Sequence, residues 1–126
     1  MQLNVRPVDA AGLAAHREAL IDLLIDTVEH GASVGFVLPL QRAEAGAYWD
    51  GLQASLANGS RLLWIADDDS RLIGTAQLEL TVKKNGLNRA EVQKLLVHTR
   101  ARRRGVAQVL MRAVELRARE LGRGLL

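Results

Sequence analysis

The sequence predicts a mixed α/β fold, an α+β mixed sheet with helices packed against it, in a single domain over residues 1–126. Three observations predict it. Two early stretches and one late stretch carry apolar residues at helical spacing, while the runs between them show the continuous or alternating pattern of strands. The chain has 126 residues, 48% of them apolar, enough for one compact core. No internal repeat, low-complexity segment or linker divides it.

Leu3 to Val8 reads as a first strand, with Pro7 marking an edge or an end because proline donates nothing to a ladder. Asp9 then caps helix one. Leu13, Leu20, Ile21, Leu24 and Val28 form its apolar stripe, Arg17, Glu18, Asp22, Asp26 and Glu29 its polar side, and His30-Gly31 its stop. Residues 31–36 form a loop. A second helix is expected after Pro39, carrying Ala43, Ala47, Leu52 and Leu56 as far as Asn58-Gly59.

The period then changes, as Leu62 to Ala66 is a short apolar run that ends in the turn signal Asp67-Asp68-Asp69-Ser70. It reads as a buried strand. Ala76, Leu78, Leu80 and Val82 then alternate with Thr75, Gln77, Glu79, Thr81 and Lys83, the pattern of a strand with one face in the core and one in solvent. Lys84-Asn85-Gly86 is a turn, and Arg89 to His98 a fourth strand. From Gly105 to Leu121 a helix places Val106, Val109, Leu110, Ala113, Val114 and Leu121 on one face, opposite Arg112, Arg117 and Arg119. Gly122 ends it. Gly124-Leu125-Leu126 begins a fifth strand, which a crossover helix makes parallel to the fourth.

Composition excludes several chemistries. The chain has no cysteine, so disulfides, thiolate zinc sites, iron–sulfur clusters and a cysteine nucleophile are absent, and its three histidines have no metal-ligand spacing. No metal is expected. The amino terminus lacks a signal-peptide core, and no window approaches the roughly 18 apolar residues of a membrane span, so the expected setting is cytoplasmic, with no membrane partner.

The net charge of +3 hides an asymmetry: residues 1–88 sum to −4 and residues 89–126 to +7. The basic part is built to meet an anion. Its densest segment is Arg102-Arg103-Arg104-Gly105-Val106-Ala107, between a strand end and a helix start. The first amides of a helix are unpaired and sit at the positive end of its dipole, so a turn of small residues there becomes an anion cradle. Gly105 and Ala107 keep the approach open, and arginines add fork-shaped donors for phosphate.

Arg102-x-x-Gly105-x-Ala107, after a strand ending Lys94-Leu95-Leu96-Val97-His98, resembles the Gln/Arg-x-x-Gly-x-Gly/Ala signature of the GCN5-related N-acetyltransferases. Residues 31–36 and 85–95 also resemble segments of a branch of that family that confers toxin resistance. The resemblance implies the family's acyl-CoA N-acyltransferase fold and transfer of an acetyl group from acetyl-CoA to a primary amine of a small molecule, an amino-acid-like toxin or antibiotic, without a covalent enzyme intermediate. It implies that the backbone of Leu95, Leu96 and Val97 pairs with the pantetheine arm. Arg102 supplies the first signature position, and the amides of Arg103, Arg104, Gly105, Val106, Ala107 and Gln108 wrap the pyrophosphate. A strand amide near Leu95 or Leu96 would stabilise the oxyanion.

An alkyl ammonium titrates near pH 10, so the acceptor must lose a proton before attack. The resemblance gives that role to Glu91. Residues 31–36 match the loop that covers the acceptor in the family. Arg103 departs from the glycine often found at its position. The family continues through the rest of the fifth strand, a further helix and two more strands, so the sequence is expected to be the amino-terminal part of such a domain. The helix whose tyrosine protonates the leaving thiolate in relatives would then follow Leu126, since the sole tyrosine, Tyr48, lies on the second predicted helix.

Blander readings stand beside these. Arginines and a glycine at a helix start are commonly a solvated cap, and a glutamate near a strand end is commonly just exposed. Trp49 and Trp64 are expected to pack in the core. Two other functions fit the charge pattern: an acyl-CoA-binding remnant without turnover, and a nucleic-acid-binding module using Arg100 to Arg104. The second lacks interleaved aromatics, which make up 3% of the chain. An exposed sheet edge at the fifth strand could pair with another copy to give a homodimer.

Overall fold

The computed structural model describes residues 2–31, 35–69, 71–82 and 88–125, without the side chains of Val82 and Asn88. Five strands lie in the order β1-β2-β3-β4-β5: β1 Leu3–Val8, β2 Arg61–Asp68, β3 Arg71–Val82, β4 Asn88–Val97 and β5 Gly124–Leu125. The first four pair antiparallel, and β5 joins β4 parallel, as a crossover through a helix requires. The helices are α1 Ala10–Ala15, α2 Arg17–Glu29, α3 Arg42–Asp50, α4 Gln53–Asn58 and α5 Val106–Glu120.

Strand alternation divides the core in two. Leu63 and Ile65 of β2 face Leu20, Leu24 and Trp49 of α2 and α3, whereas Trp64 and Ala66 face Val106, Leu110 and Val114 of α5. Both sheet faces are thus covered, which is why β2 reads as a continuous apolar run. Each fully buried leucine contributes roughly 1.5–3 kcal/mol. Trp49 is wholly buried, and its indole N–H donates to the Leu20 carbonyl at 3.0 Å.

Both early helices are broken where the sequence pattern reads them as continuous. Asp9 caps α1 as expected, its Oδ1 accepting from the Gly12 N–H at 2.8 Å, but the chain leaves helical geometry at His16 before α2 begins. The reason is packing. The segment 10–15 lies against β1 and α4, where Gln53 Nε2 donates to the Ala10 carbonyl, whereas 17–29 runs along α3 and the sheet. The second predicted helix divides likewise at Gly51-Leu52, and left-handed Gly59 (φ 82°) ends α4. Arg17 bridges to Asp50, and Arg42 to Asp22 and Glu18, across the α2–α3 seam.

Three further expectations change. β2 continues through Asp67 and Asp68, so that turn lies at Asp69 (φ 53°), with Ser70 outside the described residues. Thr75 and Gln77, expected in solvent, are fully buried because α2 and α3 cover their face of the sheet. On α5, Ala118 is buried in place of Leu121, which lies beyond the helix end and is 37% exposed. The predicted turn Lys84-Asn85-Gly86 falls outside the described residues. No helix of the described residues is long and apolar enough to cross a membrane.

Candidate active site

The site is built where β4 gives way to α5. Thr75 pairs with Leu96, and Gln77 with Gln93, so Ala76 stands against two residues, Lys94 and Leu95. This is a β-bulge, and Lys94 takes the left-handed conformation (φ 45°) that it demands. Nothing in the alternation of residues 89–98 signals it. β5 pairs only with Arg89 and Ala90, so from Glu91 to Val97 the other edge of β4 has no strand partner among the described residues. Its backbone groups there remain available to an extended ligand.

Beyond β4 the chain makes one 3₁₀ turn at Thr99–Ala101, whose Ala101 side chain is buried under α5. Arg103 (φ 67°) and Gly105 (φ 77°) then curl the backbone in left-handed geometry into α5. Left-handed arginine costs on the order of 1 kcal/mol, whereas glycine adopts that geometry without a Cβ penalty. No side chain caps α5 and no acidic residue occupies its first turn, so the amides of Val106, Ala107 and Gln108 lack intrahelical acceptors.

Seven of the ten residues predicted to hold the cofactor line one cleft of about 460 Å³: Val97, Arg102, Arg103, Gly105, Val106, Ala107 and Gln108, with Ala101 completing it. The other three lie elsewhere. Leu96 turns its side chain into the core and can offer the site only its backbone, whereas Leu95 is exposed outside the cleft lining. Arg104 reaches Asp68 at 3.3 Å instead of projecting freely.

Glu91 lies on the sheet face toward α2 and α3. Its direct partner across the ladder is Glu79, and cross-strand partners share a face. Glu79 accepts from Arg61 Nη2 at 2.5 Å, Arg61 Nη1 donates to Gln77 Oε1 at 2.6 Å, and Gln77 Nε2 donates to the Tyr48 hydroxyl at 2.9 Å. Burial holds the Tyr48 hydroxyl above its ordinary pKa, against the Gln77 hydrogen bond and the Arg61 charge. Phe36, at the end of the 31–36 loop, packs edge-on to Tyr48 at 5.7 Å, and Lys94 Nζ lies 5.5 Å from the Tyr48 ring centre. Ala32 to Val34 of that loop lie outside the described residues.

Sequence reasoning missed two parts of this site. One is the polar chain from Glu79 to Tyr48, whose members come from three separate elements. The other is Asp26, assigned to a solvent face but only 13% exposed in its side chain. It accepts from the Thr99 N–H at 2.9 Å and the Thr99 Oγ1 at 2.8 Å, holding the turn that precedes the cleft. No group of three or more metal-ligating side chains occurs among the described residues.

The bulged strand, its unpaired edge and the cleft at the following helix all lie within residues 19–125, the segment that a family model matches. The family model for the Acetyltransferase (GNAT) family matches residues 19–125, and the chain belongs to that family. It is similar in fold to a GCN5-related N-acetyltransferase from Ralstonia eutropha, with a TM-score of 0.71 at 19% identity over 99% of this chain and 82% of that one. An aminoglycoside acetyltransferase from an uncultured soil metagenomic sample gives a TM-score of 0.73 at 18% identity, over 98% and 74% of the two chains. A predicted acetyltransferase from Clostridium acetobutylicum, solved with acetyl-CoA, gives 0.69 at 17%, over 99% and 79%.

Proposed function

We propose that this chain is an N-acetyltransferase that transfers the acetyl group of acetyl-CoA to a primary amine of a small molecule by direct attack. The observation that carries this reading is the continuity of β4's unpaired edge with the cleft at the start of α5. The residues suit the co-substrate, since the cleft combines unpaired helix amides, two left-handed turns and exposed Arg102 and Arg103. The backbone of Leu95, Leu96 and Val97 would hold the pantetheine arm, and residues Arg102 to Gln108 the pyrophosphate. Bound acetyl-CoA supplies an activated thioester carbonyl.

Glu91 takes the proton of the attacking ammonium, directly or through water, and an amide at the bulge near Leu95 or Leu96 stabilises the developing oxyanion. The acceptor is an amino-acid-like toxin or antibiotic. This finer reading is supported by the resemblance of residues 31–36 and 85–95 to the tabtoxin resistance acetyltransferase, and by the aminoglycoside acetyltransferase among proteins of similar fold. In this reading the acetyltransferase works in the cytoplasm.

Calorimetry with acetyl-CoA, followed by CoA release across a panel of amines, tests the proposal. Binding together with amine-dependent release supports it. Absence of acetyl-CoA binding, alongside DNA affinity that falls steeply with salt, would replace it with a nucleic-acid-binding function. Binding without release above background would leave an acyl-CoA-binding remnant.

A further inference from the structure

The face of the sheet beneath α3 carries more charge than acid–base chemistry requires. Glu79 and Glu91 stand opposite each other on it, and the chain of hydrogen bonds from Glu79 through Arg61 and Gln77 reaches Tyr48, over whose ring Lys94 extends. Glu91 and Lys94 therefore share one face, on either side of Gln93. Arg61 is neutralised by Glu79. Glu91 and Lys94 are each half-buried, and neither has an ion-pair partner among the described residues.

A partly desolvated charge without a counter-charge is costly unless a ligand supplies one. This carboxylate and this ammonium do not form an ion pair with each other. The ring of Tyr48 attracts the Lys94 ammonium through its negative face but leaves its charge uncompensated. Lys94 also occupies a left-handed position where a glycine or asparagine would fit with less strain.

We propose that Glu91 and Lys94 together select a zwitterionic acceptor: an amine with a carboxylate on the same or a neighbouring carbon, as in a free amino acid. The ammonium lies toward Glu91 and the carboxylate toward Lys94, with Tyr48 and Phe36 as the apolar wall for the carbon skeleton. Lys94 is then the specificity-determining residue. The inference rests on the acetyltransferase reading and assigns recognition of its amino-acid-like acceptor to two side chains.

The test titrates three amines of similar length into the chain saturated with CoA: L-lysine, L-lysinamide and 1,5-diaminopentane. The expected result is at least tenfold tighter binding of L-lysine than of either compound without the carboxylate. Lys94→Gln should bring that ratio close to one and Lys94→Arg should restore it, while CoA affinity, measured in parallel, reports that each variant is folded. Equal affinity for all three amines, no binding of any of them to the CoA-loaded chain, or an unchanged ratio in folded Lys94→Gln would overturn the proposal. Failure of the wild-type chain to bind CoA would instead remove the acetyltransferase reading beneath it.

Discussion

Asp26 on α2 grips Thr99 with both carboxylate oxygens across 73 residues of sequence, one accepting the backbone N–H and the other the hydroxyl. Thr99 opens the 3₁₀ turn that leads into the cleft at the start of α5, and Ala101, two residues on, is locked beneath α5. The turn before the cleft is thus held by a carboxylate that does not line it. Hydrogen bonds to a charged group contribute roughly 1.5–3 kcal/mol each. Asp26→Ala is expected to lower the melting temperature and weaken acetyl-CoA binding about tenfold or more, an effect of roughly 1.4 kcal/mol. Thr99→Ser, which keeps both donors, should bind as the wild type does. Acetyl-CoA affinity unchanged in Asp26→Ala would show that the grip stabilises the fold without shaping the cradle.

Gly105→Ala separates backbone conformation from steric fit. A Cβ there would meet only Gln108 Oε1, at an unstrained 3.8 Å, but φ is 77°. The cost is conformational, about 1–2 kcal/mol for an L-residue in the left-handed region. Acetyl-CoA affinity should fall several-fold with a modest drop in melting temperature, both readable from one thermal-shift titration.

Glu91→Gln keeps the shape and hydrogen-bonding capacity of the side chain but cannot take a proton. General-base catalysis contributes about 10²–10⁴ in rate, so turnover should fall by at least that lower bound and the acid limb of its pH profile should change. Acetyl-CoA affinity should hold. An unaltered pH profile would remove Glu91 from the base role.

Tyr48→Phe tests the buried polar chain. Gln77 is fully buried, and its Nε2 would lose its acceptor while the aromatic contacts with Phe36 and Trp49 persist. An unsatisfied buried donor costs about 1–3 kcal/mol, which chemical denaturation would register as a lower midpoint with unchanged slope.

His98 predicts an acid-sensitive stability. Burial lowers its pKa below the ordinary 6.5, with Arg100, His30 and Arg71 adding to the shift and Asp26 opposing it. As pH falls through 6.5 the unfolded chain takes up this proton before the folded one, so the contribution is complete above 6.5 and lost below it. The melting temperature should decline below that pH, and His98→Asn should flatten the decline.

The order of elements, the covered strand β2, the parallel β5 and the glycine turn into α5 were all legible in the sequence. Each follows from local pattern: periodicity reports which side of an element is apolar, and glycine after arginines marks where a helix can begin. The breaks at His16 and Gly51, the burial of Thr75 and Gln77, the bulge at Lys94 and the roles of Asp26 and Tyr48 were decided only in three dimensions. Alternation can say that Gln77 is polar but not that α3 will lie over it, and a polar residue in a helical stripe gives no sign of a threonine amide 73 residues away. By itself the sequence determined the family and the place of the turn into α5, because those rest on backbone conformation and neighbouring residues. The tertiary structure decided which charges share the sheet face beneath α3, because that depends on register across strands and on helices brought together by the hydrophobic core.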